Sequence, residues 1–372
     1  MNKLVTKKEI GRLALLFSVT YMVSYITRIN YGAVISEMEK SMQISKSMLS
    51  MALTGSFITY GAGQIISGIC GDRFSPKKLV LCGLAVTLVM NLLIPICQNA
   101  FQMLFIWCIN GFAQAFMWPP LVRLMTTLLS SEDYKRTTAK VSWGSSIGTI
   151  VIYLLSPLLI SAFGWRSVFI FSAASALVMI FIWNKYSYDI PTEKKSIDIR
   201  NEKSVNKIFF NPLMIGIMLV IILQGMLRDG VTTWMPSYLA ETYNISNLIT
   251  ILTGVVLPVF SIVCFQIATR IYRKKVKNPI SCACIFFFVG MISAFILLLY
   301  TGHNAVVSVL SSAALTGCMH GVNLMLLCMI PPFFEKTKNV STVSGVLNSC
   351  TYIGSAVSTY LIAFLSEKIG WN

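Results

Sequence analysis

Along this chain the apolar residues are gathered into eleven blocks of roughly 18 to 27, parted by short polar joints. A block of about 20 apolar residues is what a helix needs to cross a bilayer core about 30 Å thick. The pattern therefore predicts spans near 12–34, 48–70, 79–97, 101–126, 141–163, 167–184, 212–236, 245–269, 279–300, 304–330 and 339–366. Only one polar stretch is long. Residues 185–208 carry ten charged residues and no helical apolar stripe, which reads as a linker. An all-α membrane protein is expected, with a six-helix bundle over 1–185, a linker over 186–208 and a five-helix bundle over 209–372.

Composition agrees. The chain is 55% hydrophobic and 12% charged, where a soluble protein carries about a quarter charged residues. A soluble enzyme, a secreted disulfide scaffold and a nucleic-acid binder are set aside, and the lipid bilayer is the expected surrounding. The net charge of +16 changes meaning once it is placed. The joints on the amino-terminal side hold 23 of the 30 Lys and Arg, and the opposite joints hold Lys40, Lys46, Arg166 and Lys368. That bias puts the amino terminus and the linker in the cytoplasm of a cell-membrane protein. No small-residue cleavage site follows the first block, so it is kept as a helix. The ten cysteines, Cys70 to Cys350, lie in or at the ends of the blocks and read as small core residues. Cys282 and Cys284 are two apart and point to different faces, so no metal site is expected. No nucleophile–base pair suggests catalysis, and no cofactor is implied.

The two halves repeat. Arg28 in the first block corresponds to Arg228 in the seventh, and Gly164-Trp165-Arg166 corresponds to Gly370-Trp371-Asn372. The separations are 137 residues from Arg28 to Trp165 and 143 from Arg228 to Trp371. By this repeat a twelfth helix should follow Trp371, and the expectation is a truncated sequence, six helices plus six being the full pattern.

An arginine inside a span costs at least ~2.5–3.5 kcal/mol on insertion scales and is by default functional. Asp72 and Asp229 alone among the acids approach the spans, and Asp229 points about 100° away from Arg228 on a helix. The two arginines are therefore expected to lack anionic partners and to receive a small anion, whose oxygens a guanidinium holds bidentately. Tyr21 and Tyr25 share a helical face with Arg28 and can add hydroxyl donors. Arg123, near a span end, reads as structural. Pro119, Pro120, Pro157, Pro258, Pro331 and Pro332 lie in or at the ends of spans and permit bends.

Five stretches carry a family resemblance. Gly68-Ile69-Cys70-Gly71-Asp72-Arg73-Phe74-Ser75-Pro76-Lys77-Lys78 resembles the G-x-x-x-D-R-x-x-x-[RK] loop of the major facilitator superfamily. Its small residue lets helices approach, and its acid and bases can pair, so Gly68, Asp72, Arg73 and Lys77 read as a conformational latch. The run Asn110 to Arg123, with Gly111, Gln114, Trp118, Pro119 and Pro120, is similar to the helix-four signature of the organophosphate:phosphate antiporters. Arg228 to Leu239, with Gly230, Trp234 and Pro236, is similar to their helix-seven motif. Tyr25-Ile26-Thr27-Arg28-Ile29-Asn30 and Tyr60-Gly61 fit helices one and two.

The resemblance implies a monomeric carrier of two bundles. It would exchange a sugar phosphate or glycerol phosphate for inorganic phosphate by alternating access, with Arg28 and Arg228 binding the phosphate. Three departures put the substrate's identity in question. Gln64 stands where members commonly have a Lys, Gly225 where a Tyr can precede the helix-seven Arg, and the helix-five His is absent from Trp143 to Gly148. His320 falls where a Tyr occurs and is a candidate replacement donor. Two alternatives stay open: a proton- or sodium-coupled symporter of organic carboxylates, and a non-transporting sensor of sugar phosphate.

Overall fold

The computed structural model describes residues 6–190, 208–245 and 247–371. Most of the linker expected at 186–208 lies outside them. The described residues form helices and no strand. In chain order these are α1 (Lys7–Met42), α2 (Lys46–Arg73), α3 (Pro76–Leu93), α4 (Ala100–Gln114), α5 (Trp118–Leu128), α6 (Ser131–Phe163) and α7 (Arg166–Tyr186). After the linker come α8 (Pro212–Tyr243), α9 (Asn247–Lys274), α10 (Pro279–Tyr300), α11 (Ala305–Asn323) and α12 (Val340–Ile369). Nine stretches of the described residues are long and apolar enough to cross a membrane. α2 and α12 have the length, at 28 and 30 residues, with more polar sequences.

Local chemistry sets the ends. Ser45, Ser75, Asn99, Ser130, Asn278 and Asn304 each accept a backbone N–H in the first turn of the helix they precede. The fourth span, expected as one helix over 101–126, is broken. α4 ends at Gln114 and α5 restarts at Trp118, with Pro119 and Pro120 in its first turn, where missing N–H groups do no harm. The tenth span passes from α11 through a π-helical turn, Leu324–Cys328, to a 3-10 turn at Pro331–Phe334.

The chain packs as two units. The first comprises residues 1–214 and 331–349, and the second 215–330 and 350–372. Compared with the expected division at 186–208, the first unit also takes the beginning of α12, and that helix runs on into the second unit. In the first unit α1 packs on α6, α2 on α4 and α3 on α7; in the second α11 packs on α9 and α10. Outer faces are apolar, with Phe105, Leu158 and Phe163 among many exposed large residues, as expected where the solvent is lipid. That also corrects the reading of the cysteines. Six are buried, including Cys282, but Cys82 and Cys284 are exposed, because a small apolar residue is as well placed against lipid as in the core.

The repeat is visible in three dimensions. Gly164 and Gly370 both end helices at positive φ, 76° and 74°, a conformation glycine adopts without a Cβ clash. Trp165 then joins a core of Tyr31, Trp107 and Phe169, and Trp371 packs on Trp234 and Tyr238. A second correspondence lies in the crossings. A Cβ on Gly148 would strike the carbonyl oxygen of Met22, and one on Gly354 would strike that of Ile222. Met22 precedes Arg28 by six residues, and Ile222 precedes Arg228 by six.

Candidate functional site

In the first unit α1 presents Arg28 to aromatic faces. Its guanidinium carbon stands 4.2 Å from the centre of the Tyr25 ring and 4.8 Å from that of Tyr60 on α2, a cation–π arrangement that strengthens as water is excluded. Tyr21 lies edge-on to Tyr25 at 5.2 Å and against Trp118 of α5 at 4.9 Å. The structure thus brings Tyr21, Tyr25, Arg28 and Trp118 together and adds Tyr60.

A buried polar network holds the turn of α1 that carries Arg28. Asn91 of α3 and Asn110 of α4 each donate to the Thr27 carbonyl at 3.2 Å. Gln114 donates to Thr27 Oγ1 at 2.8 Å and accepts from Ser24 at 2.6 Å. Asn30 donates to Asn91 Oδ1 at 2.7 Å and to Ser172 of α7 at 2.9 Å. Gly111 makes room beside it, since a Cβ there would strike the Ser56 carbonyl of α2. Asn110 and Gln114 were singled out by motif. So was Asn30, as the last position of the helix-one motif; Asn91 and Ser172 were not, although an amide side chain inside an apolar block is itself a signal, because lipid offers it no partner.

In the second unit the expectation of an unpartnered arginine is overturned. Arg228 Nε donates to Asp229 Oδ1 at 2.6 Å and Nη2 donates to Oδ2 at 2.8 Å, a bidentate pair. The long arginine stem swings the guanidinium across the 100° between neighbours on the helix, so the Cβ directions did not decide the outcome. Ser355 of α12 donates to the same Oδ2, and Thr232 donates to the Arg228 carbonyl at 2.6 Å. His320 of α11 lies within electrostatic reach of both Arg228 and Asp229, its ring edge-on to Phe265 at 5.5 Å. Gly225 sits where a Cβ would strike the Thr351 carbonyl, so the tyrosine of the resemblance has no space there. Gly230 faces Ser358 and Ile362 at a similarly close crossing. Trp234 stacks 6.5 Å from Trp371, whose indole N–H donates to Glu241 at 2.7 Å. Pro236 lies in α8 with its side chain outside the described set.

The loop after α2 also differs from expectation. Asp72 pairs with neither Arg73 nor Lys77; its carboxylate accepts the backbone N–H groups of Ser341 at 2.9 Å and Thr342 at 2.7 Å. Those amides open α12, where orphan donors and the helix dipole favour an anion. Burial pushes the Asp72 carboxyl up from the ordinary carboxylate range, and the amides and nearby Arg123 pull the other way. Arg123 donates to the carbonyls of Gly71 and Phe74. Lys77 turns to the end of α7, donating to the carbonyls of Asn184 at 2.9 Å and Ser187 at 3.1 Å, while Arg73 is exposed. Gly68 lies where a Cβ would crowd the Ser341 carbonyl and Gly345.

Comparison with known proteins follows the same lines. Residues 17–359 match the family model described as Major Facilitator Superfamily. The "Probable hexose phosphate transport protein" of Chlamydia muridarum (strain MoPn / Nigg) is 22% identical over 390 residues, covering 95% of this chain and 84% of that protein. The glycerol-3-phosphate transporter of Bacillus subtilis (strain 168) is 25% identical over 389 residues, covering 95% and 85%. Among solved structures, the Escherichia coli fucose:proton symporter aligns with a TM-score of 0.77 at 14% identity, covering 97% of this chain and 93% of that one. At that identity it shows the fold alone.

Proposed function

From the premise that the chain belongs to the major facilitator superfamily, a family of multi-pass membrane transporters, we propose that it exchanges a phosphorylated organic metabolite for inorganic phosphate by alternating access. The observation that carries this reading is the pair of arginines at repeat-related positions, Arg28 and Arg228, each six residues beyond the point where its helix crosses a glycine of a neighbour. Each of the two guanidinium groups suits a phosphate, whose oxygens it can hold bidentately. Tyr21, Tyr25 and His320 supply further polar contacts. The two relatives named for hexose phosphate and glycerol 3-phosphate support the substrate class. Asp72, closed on the first amides of α12 beside Gly68, acts as a latch, with Lys77 tying the same loop to the end of α7 and Arg73 left to solvent. The chain works as a monomer in the cell membrane with its amino terminus in the cytoplasm, and it is a carrier, not an enzyme.

Proteoliposomes test the coupling. Vesicles loaded with inorganic phosphate should take up labelled phosphate or glycerol phosphate without any ion gradient. One observation favours a second reading. Asp229 on Arg228 is a carboxylate among the proposed ligands, as a proton-coupled symporter of organic anions requires. Uptake that follows an imposed proton gradient and ignores internal phosphate would establish that reading and exclude exchange.

A further inference from the structure

We propose that one face of α9, from Val259 to Lys274, holds an anionic phospholipid, its acyl chains along an apolar stripe and its phosphate on the basic end. Val259, Val263 and Ile267 are 45, 50 and 46% exposed. They stand four apart, and Arg270 and Lys274 follow three and seven residues beyond Ile267. With about 3.6 residues per turn, all five fall on one side of the helix. From Val259 to Lys274 the rise is about 22 Å at 1.5 Å per residue. That is close to one leaflet of a bilayer about 40–45 Å thick with its headgroups.

The basic end has no acid beside it in the chain. Five of the eight residues 270–277 are Lys or Arg, and no Asp or Glu occurs between Glu241 and Glu335. Arg270, Lys274, Lys275 and Lys277 are exposed and form no ion pair among the described residues. By contrast, Lys77 donates to the carbonyls that end α7, and Lys135 pairs with Glu132 at 3.1 Å. Cations in the last turn of α9 complement its dipole. Lys275 and Lys277, however, lie beyond that turn and before α10 starts at Pro279, so the helix alone does not require them. A basic cluster at the end of a lipid-facing helix attracts anionic headgroups. A free phosphate would use the cations alone, whereas the apolar stripe that runs into them suits a ligand with acyl chains.

The test uses the purified full chain in detergent and native mass spectrometry, which counts bound lipids. Phosphatidylglycerol and phosphatidylcholine with identical acyl chains are titrated in turn. The parent should bind phosphatidylglycerol at least about tenfold more tightly, since each cation near an anionic headgroup is worth about fivefold. Lys274→Gln combined with Lys275→Gln should remove most of that preference. Lys7→Gln combined with Lys8→Gln, which lowers the net charge equally at the start of α1, should keep it. A parent without the preference overturns the inference. So does an equal loss in the two double variants, which would mean that net charge alone attracts the lipid. An excess of glycerol phosphate, a headgroup without acyl chains, should leave the bound lipid in place. If it displaces the lipid, the cluster takes free phosphate and the lipid assignment falls.

Discussion

Asn91 is the residue whose loss should most damage the first unit. Its amide makes three buried bonds: it accepts from Asn30 at 2.7 Å and donates to the carbonyls of Thr27 at 3.2 Å and Thr87 at 2.9 Å. Leucine keeps the number and branching of side-chain heavy atoms and removes all three. Polar contacts between membrane helices average about 0.6 kcal/mol and reach about 1.7, so three give roughly 2 kcal/mol. Asn30 keeps Ser172 as a partner and Thr27 keeps Asn110, which holds the loss near that figure and below the ceiling of about 5 kcal/mol. Asn110→Leu is the internal control. It removes one 3.2 Å bond together with a buried Oδ1 that has no partner among the described residues, so its cost should be within about 1 kcal/mol. Gln114→Leu, with bonds of 2.6 and 2.8 Å, should fall between. Reversible unfolding of the purified chain in mixed micelles gives the three values. If Asn110→Leu costs as much as Asn91→Leu, or if all three match the parent, the network does not hold α1 and the ranking argument is wrong.

The latch contact predicts that Asp72→Leu will speed amide hydrogen exchange at Ser341 and Thr342 by about tenfold or more. Asp72→Asn, which retains one acceptor, should do less, and Arg73→Gln should leave exchange there unchanged. Arg28→Lys keeps the charge but loses the planar fork, and should cost ~2 kcal/mol or more of phosphate binding. Arg123→Lys, whose contacts are backbone carbonyls of the loop, should leave affinity near that of the parent in the same titration. Gly225→Ala places a Cβ against the Thr351 carbonyl and should lower stability by about 1–3 kcal/mol, measurable by the same unfolding series.

The spans were legible because lipid enforces them: a chain that cannot leave a backbone amide unpaired must run as helix for the whole crossing. The break between Gln114 and Trp118 was not, since apolarity continues through it and only Pro119 and Pro120 mark the restart. The repeat was legible from Arg28, Arg228 and the two Gly-Trp pairs, residues rare enough to stand out in an apolar background. The matching crossings at Gly148 and Gly354 escaped notice, because glycine is common in such helices. Only the packing of the helices decides which glycine faces a carbonyl of α1 or α8.

The charged residues mark the deeper boundary. Repeat and motif singled out Arg28, Arg228 and Asp72 in the chain, yet the partners of Arg228 and Asp72 depended on reach and packing. Asp72 stands beside Arg73 in sequence but closes on amides 269 and 270 residues away, because a helix start offers donors fixed in direction while Arg73 can turn to solvent. Asp229 was set aside on the angle between adjacent Cβ directions, a rule suited to short side chains. Arginine places its guanidinium several bonds beyond Cβ, and with Ser355 holding the carboxylate from the other side the two close into a fork. The same residue pair thus reads as a bare cation from spacing and as a neutral unit from geometry.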